Sequence, residues 1–387
     1  MKKNSKDVAL IARPDHSLFI YERLKGSSLD FIYITFKLIP SWMGRIFKGR
    51  KDKIVDRNYS LSWLMTLHNI AVYTYEIGFA RKFSGGKIFS RHIKKILPKN
   101  SPRLIHYWPD YCINLITEYK KCHPNVRTIA DIYFPCRQYV IEETIQALNS
   151  YGLEENLSGI RNGIATYDHI MSLEKDFIVP SPLVAESYKK YYPSNNFHVV
   201  SYGIRKWDGY IKKERPENVH KFVYVGTISV EKGCDLLCEW FSLHPDYEIH
   251  IIGKPHYKEV EIFAKYKNIS NIYFEGVIPK SEVPFKVREF DCGIHLSRFD
   301  AYSLAVAEMT SAGLPVVVSD HSGIFFDIEK NKLGEVVSLN FESIGAGINK
   351  VVSNYAWYID NIDYFIKNDK YDYGEEIIKL YKKILNE

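Results

Sequence analysis

Cysteine is scarce: six residues in 387, with no C-x-x-C pair among them. That spacing suggests neither a disulfide framework nor a cysteine zinc site. Cys234 and Cys238 stand four apart in an apolar helical pattern, where buried thiols are common. Long apolar runs are missing too, and Val8 to Ala12, behind Lys2, Lys3 and Lys6, is shorter than a signal-peptide core. The chain is therefore expected in the cytoplasm. Low-complexity tracts and internal repeats are also absent. What is present, 46% hydrophobic and 14% aromatic residues against 25% charged, is ample for packed cores and excludes a disordered scaffold. The length calls for two domains of ordinary size.

Charge is distributed unevenly. Residues 1–103 hold 21 Lys and Arg against 7 Asp and Glu, +14, while the remainder carries −8. The densest part, Phe36 to Lys53, interleaves large apolar residues with cations, and a second basic run follows at Arg81 to Lys99. Such a segment suits a membrane interface with anionic lipid, and equally a solvated face of a basic domain. Nucleic acid ranks behind both, because no zinc finger, RNP-like strand or recognition-helix pattern accompanies the charge.

The second half has β-branched runs starting near Lys221, Ile249, Asn271, Cys292, Val316 and Gly334, spaced 28, 22, 21, 24 and 18 residues apart. One strand and one crossover helix fill each interval, which predicts a parallel sheet covered on both faces. The first half gives a less regular version: VALIA, FIYITF, LIHYW, RTIAD, DFIVPS and FHVVSYG, with helices such as Ser60 to Lys82 between them. Polar residues from Arg205 to Val219 read as a linker. The fold class is α/β, with two Rossmann-like domains facing a central cleft: 1–212, 213–354, and a helical segment 355–387. Ligands of open α/β sheets bind at the carboxyl ends of strands, which puts the site in that cleft. Gly345-Ala346-Gly347 matches a dinucleotide fingerprint only in part and reads as a helix start.

Two clusters carry chemistry. Leu296 to Pro315 follows a strand and opens a helix near Ser303, so the N–H groups of Leu304 and Ala305 face the cleft, where a phosphate is favoured. Glu308 follows on a helix otherwise made of Leu, Ala, Val, Met and Ser, and sugar or ribose hydroxyls would partner its carboxylate; a solvent face is the alternative. In Val223 to Gly233, Gly226 ends a strand, Ser229 is a candidate N-cap, and Lys232 falls in the first helical turn, where an anion would account for its charge.

The run Gly-x-x-Ser-x-Glu-Lys-Gly, followed by Ser-Arg-x-Asp-x7-Glu, Ala-Gly-Leu-Pro-Val-Val and Ser-Asp-x-x-Gly, resembles the group 1 (family 4) retaining glycosyltransferases of the GT-B fold. The resemblance is specific over about Lys221 to Leu339. It implies a donor site of Gly226, Thr227, Lys232, Arg298, Tyr302, Ser303, Leu304, Ala305 and Glu308, with Val277 and Ile278 beside the base. It implies Asp300 at the transferred sugar; His106 and Asp131 are candidates to contact the acceptor or donor sugar, with a structural histidine at a strand end as the favoured alternative for His106, and Asp15 and His16 stand on the acceptor side. Thr227 stands where the family has Arg, Asp300 where it has Glu, Ala130 where it has His, and Arg13 to Ser17 replace its glycine-rich acceptor loop. No D-x-D occurs, so a metal-independent enzyme with no cofactor is expected. The activity implied is transfer of a sugar from a nucleoside diphosphate to a membrane-borne glycan of lipopolysaccharide, O-antigen or capsule, at the inner face of the cytoplasmic membrane. Rivals are a sugar-nucleotide epimerase of the same fold and an inactive scaffold.

Overall fold

A computed structural model describes residues 5–12, 14–35, 39–40, 54–55, 59–60 and 85–386. The Phe36 to Lys53 segment (except Ile39–Pro40) and the Ser60 to Lys82 helix (except Ser60) lie outside the described residues.

The first sheet is parallel and comprises β1 (Val8–Ala12), β2 (Phe31–Thr35), β3 (Tyr59–Ser60), β4 (Leu104–Tyr107), β5 (Arg127–Asp131), β6 (Asp176–Val179) and β7 (Asn196–Val199), in spatial order β3-β2-β1-β4-β5-β6-β7. The second holds β8 (Lys221–Val225), β9 (Glu248–Ile252), β10 (Ile272–Gly276), β11 (Cys292–His295), β12 (Val316–Ser319) and β13 (Gly334–Val337), in order β10-β9-β8-β11-β12-β13. Each β-branched run of the sequence forms one of these strands. Every residue of β1, β4, β11 and β12 is buried, as expected of central strands covered by helices on both faces.

Five helices matter for the site: α1 (Pro14–Lys25), α2 (Arg137–Ser150), α3 (Leu304–Ser311), α4 (Tyr355–Asn368) and α5 (Tyr373–Asn386). The C-terminal segment divides. Helix α4 buries Tyr358, Ile359, Ile362 and Ile366 in the second domain, whereas α5 buries Tyr373, Ile377, Ile378 and Tyr381 against α1 and the first sheet. Asp372 pairs with Arg23 of α1 at 2.7 Å where the chain crosses back. The polar stretch read as a linker is laid along the second domain: Lys212 pairs with Asp360 at 2.6 Å, and Lys213 donates to the carbonyls of Arg288 and Phe290. Gly345-Ala346-Gly347 is no helix start. Its helix, Phe341–Ser353, begins one turn earlier, at Asn340, whose side chain accepts from the Ser343 N–H.

The two crossings meet at the hinge. The Tyr371 hydroxyl donates to the Ser201 carbonyl at 2.5 Å. Gly203 has φ 71°, and a Cβ there would lie 2.6 Å from the Tyr371 ring, so the close approach requires glycine.

Candidate functional site

The loop after β8 approaches the cleft first. Thr227 is exposed, its carbonyl accepting from the Tyr224 hydroxyl at 2.7 Å. Lys232 is not in a first helical turn. Ser229 Oγ accepts the Lys232 N–H at 3.2 Å and closes a tight turn, Gly233 takes φ 69°, and the helix starts only at Cys234. Gly233 is needed on a second count: a Cβ there would lie 1.7 Å from the Leu296 carbonyl oxygen, so the loop is pressed against the end of β11. Freed from the helix, Lys232 reaches Asp300 Oδ2 at 3.1 Å and the Phe299 carbonyl at 3.3 Å, its ammonium 5.1 Å from the Phe299 ring centre.

The loop after β11 is built around Asp300. Its Oδ1 accepts the N–H groups of Tyr302 and Ser303 at 3.2 and 2.8 Å, while Oδ2 holds Lys232. Burial raises its pKa, but Lys232 and the backbone donors outweigh that and hold the carboxyl below its ordinary value. Asp300 therefore organises its own loop and the lysine, which is more than the sugar contact its sequence position suggests. Among the described residues Ser303, at φ 66°, is one of three non-glycine residues with positive φ, and its buried Oγ has no partner there. Local strain and an orphan hydroxyl coincide with the start of α3. The N–H groups of Leu304 and Ala305 have no acceptor among the described residues. Glu308 lies a turn further on, its side chain 31% exposed and 3.4 Å from Lys280.

Four expected site residues take other roles. Arg298 is turned into the second domain, where it pairs with both oxygens of Asp235 at 2.7 and 2.8 Å and donates to the Val230 carbonyl. With the pair buried on both sides, its charge is not available to a ligand in the cleft. Tyr302 also points inward: its hydroxyl donates to Asp327 at 2.6 Å and its ring packs edge-on to Tyr202. His106 is fully buried between the first sheet and α5, with Nδ1 2.5 Å from the Tyr381 hydroxyl and the ring stacked on Trp108. Asp131, also buried, lies 3.4 Å from His106 Nε2 at ion-pair range without hydrogen-bond geometry. This closed pair fastens the C-terminal helix, since α5 covers the ends of β4 and β5 and denies the imidazole access to a substrate. Val277 is 71% exposed, and Ile278 packs partly on the second domain. Asp15 and His16 fall on the helical backbone of α1, and their side chains lie outside the described residues.

Between α3 and the hinge lies a cavity of about 320 Å³, lined among others by Tyr202, Arg205, Lys280, Leu304, Glu308 and Tyr373. Arg205, Lys280 and Phe19 were not legible as site residues, because they come from the hinge, the loop after β10 and the first domain. His295 was missed as well. It ends β11 beneath the Asp300 loop, stacked on Tyr224, and burial pushes its pKa down to about 4. Among the described residues no His, Cys, Asp and Glu cluster could hold a metal ion, and no helix is long and apolar enough to cross a membrane.

Residues 208–370 match the family described as "Glycosyl transferases group 1". The O-antigen biosynthesis glycosyltransferase WbnH of Escherichia coli is 27% identical over 139 residues, 36% of this chain and 39% of that protein, so the match spans about two fifths of this curated relative. Among solved structures, sucrose-phosphate synthase from Thermosynechococcus elongatus aligns with a TM-score of 0.64 at 13% identity, over 98% of this chain and 99% of that one. The lipopolysaccharide outer core galactosyltransferase WaaB, in its apo form, aligns at 0.62 and 15%, over 97% and 99%. These likenesses show the fold: two parallel α/β sheets facing a cleft, as in GT-B proteins.

Proposed function

We propose, from the match of residues 208–370 to the group 1 glycosyl transferases, that the chain transfers a sugar from a nucleoside diphosphate to a glycan acceptor with retention of anomeric configuration. One observation carries the reading: Asp300 ties Lys232 to the loop that opens α3, where the N–H groups of Leu304 and Ala305 have no acceptor among the described residues and Glu308 follows a turn later. A diphosphate on Lys232 and the start of α3 would meet positive charge and two backbone donors. Glu308 would accept from ribose hydroxyls once Lys280 gives way.

In the transfer, the bond from the anomeric carbon to the diphosphate breaks and the bond to the acceptor oxygen forms. The hydroxyl proton leaves with a departing phosphate oxygen, so no side chain is needed as base. Fixed dipoles at α3 and Lys232 stabilise the leaving charge while the sugar passes through an oxocarbenium-like state. Asp300 contributes by positioning Lys232 and the loop that opens α3. Arg298 has no place in this step; in the reading it keeps the Val230 to Lys232 turn in register. The basic first hundred residues and the O-antigen relative support an acceptor carried on a membrane.

The test is donor binding and release. Lys232→Ala should weaken binding of the nucleoside diphosphate itself, and Glu308→Gln should cost about 1–3 kcal/mol, as for a hydrogen bond involving a charged group. Calorimetry giving unchanged affinity in both variants would remove the donor from this position. NMR of the first-formed product should show the donor's anomeric configuration, and inversion would contradict the mechanism.

A further inference from the structure

Arg205 follows the hinge directly. Its guanidinium carbon lies 3.3 Å from the ring centre of Phe19 on α1, a face-on cation–π contact. Neighbouring arginines are committed: Arg23 forks onto Asp372, and Arg288 donates to the carbonyls of Ile211 and Ala312. Among the described residues Arg205 has no hydrogen-bond acceptor, although it lines the same cavity as Glu308. With one face of the fork covered by Phe19, its five N–H donors are left in the plane of the guanidinium, directed at its edge. The cavity's volume, about 320 Å³, lies in the range of small-molecule sites, and Leu304 and Ala307 supply apolar wall.

These features ask for a planar partner with two acceptors side by side. If the ribose sits on Glu308, its base is held in the same cavity and can present an edge to Arg205. The N7/O6 edge of guanine offers two adjacent acceptors to an arginine fork. Uracil places an N–H donor between its two carbonyls, so the same approach would oppose a donor to the guanidinium and leave one partner unsatisfied. Lysine can also reach N7 and O6, but its flexible point charge lacks the fixed fork that matches the two acceptors.

We propose that Arg205, held flat on Phe19, is the base-selecting side chain of the cleft and that it selects a guanosine diphosphate donor. The proposal rests on the donor-site reading above. Calorimetry on the full chain with GDP and UDP tests it. The wild type should bind GDP about ten- to a hundredfold more tightly than UDP, the discrimination typical of a bidentate arginine–guanine contact. Arg205→Ala should remove that preference by weakening GDP alone, and Arg205→Lys should restore it only in part. Because Arg205 makes no hydrogen bond among the described residues, both variants should melt within a few degrees of the wild type, and Arg205→Lys retains a charged, stacked side chain if alanine does not fold. Lys232→Ala should weaken both nucleotides equally. Equal wild-type affinity for GDP and UDP, or an equal loss of both in Arg205→Ala, would overturn the base-selecting role while leaving the donor site intact. Binding of neither nucleotide by the wild type would overturn the donor site and this role with it.

Discussion

One residue, Phe299, separates Arg298 from Asp300, yet one faces the interior of the second domain and the other the cleft. The difference follows from partners: Asp235 neutralises the guanidinium inside, and Lys232 with two backbone N–H groups holds the carboxylate at the rim. His295, at the end of the strand that leads into both, has no such partner for its Nδ1 among the described residues and is kept neutral by burial. Its pKa of about 4 in the fold lies below the roughly 6.5 of an unfolded histidine. The unfolded chain therefore binds more protons below pH 6.5, and the stability conferred by keeping this ring neutral is present above that pH. It is lost as pH falls towards 4, by about 2 kcal/mol at pH 5. Denaturant unfolding at pH 7 and pH 5 should show that loss in the wild type and a smaller one in His295→Gln. Parallel losses in the two proteins would show that His295 does not govern the acid response.

Among elements, the basic ones bear on where the protein works. The helix Gly85–Asn100 buries Ile93 and Leu97 and exposes Lys94 and Lys95, and Lys94 pairs with surface Glu118 at 3.1 Å. Together with the Phe36 to Lys53 segment it gives the first domain its excess charge. Neutralising Lys48, Arg50, Lys51 and Lys53 should remove roughly 1 kcal/mol each of attraction to anionic lipid, and added salt should weaken what remains. Pelleting with anionic vesicles that ignores both changes would detach the charge from membranes. The strands were legible in the sequence because a parallel sheet buried on both faces demands continuous β-branched runs, such as Val316 to Val318, that little else imitates. The donor loops were legible as segments, since strand ends, Gly233 and a helix opening after Ser303 can be read in order. The directions of individual side chains were not. Arg298 and Tyr302 turn inward to meet Asp235 and Asp327, partners 63 and 25 residues away in the chain, and His106 is sealed by Tyr381, 275 residues away. Arg205 and Phe19 escaped notice because the hinge brings together residues that no local motif links.

At the scale of the molecule the two domains touch on both sides of the cleft. The hinge closes one side; on the other, Leu148, Leu153 and Leu157 of the first domain enclose Val230 of the second. Polar contacts frame that apolar patch: Glu143 to His321 at 3.1 Å, Lys258 to Glu155 at 2.8 Å, and Ser181 Oγ to the Ala301 carbonyl at 2.8 Å. Phe134 packs edge-on to Phe299, the ring beside the Lys232 ammonium. Domain closure thus presses on both donor loops, Val230 on one and Phe299 and Ala301 on the other, and the position of Lys232 depends on it. A donor that binds the closed arrangement must accordingly be bound more weakly when the patch is weakened, by a coupling of about 1–3 kcal/mol. Leu157→Asp puts an unpaired carboxylate into the apolar patch from the first-domain side and leaves the sequence of both donor loops unchanged. It should open the domains, seen as a larger radius of gyration in solution scattering, and weaken nucleoside diphosphate binding, while excess nucleotide should draw the scattering back towards the compact form. Unchanged scattering with weakened binding would place the effect in the donor loops alone, and an expanded particle that binds as tightly as the wild type would uncouple closure from the site.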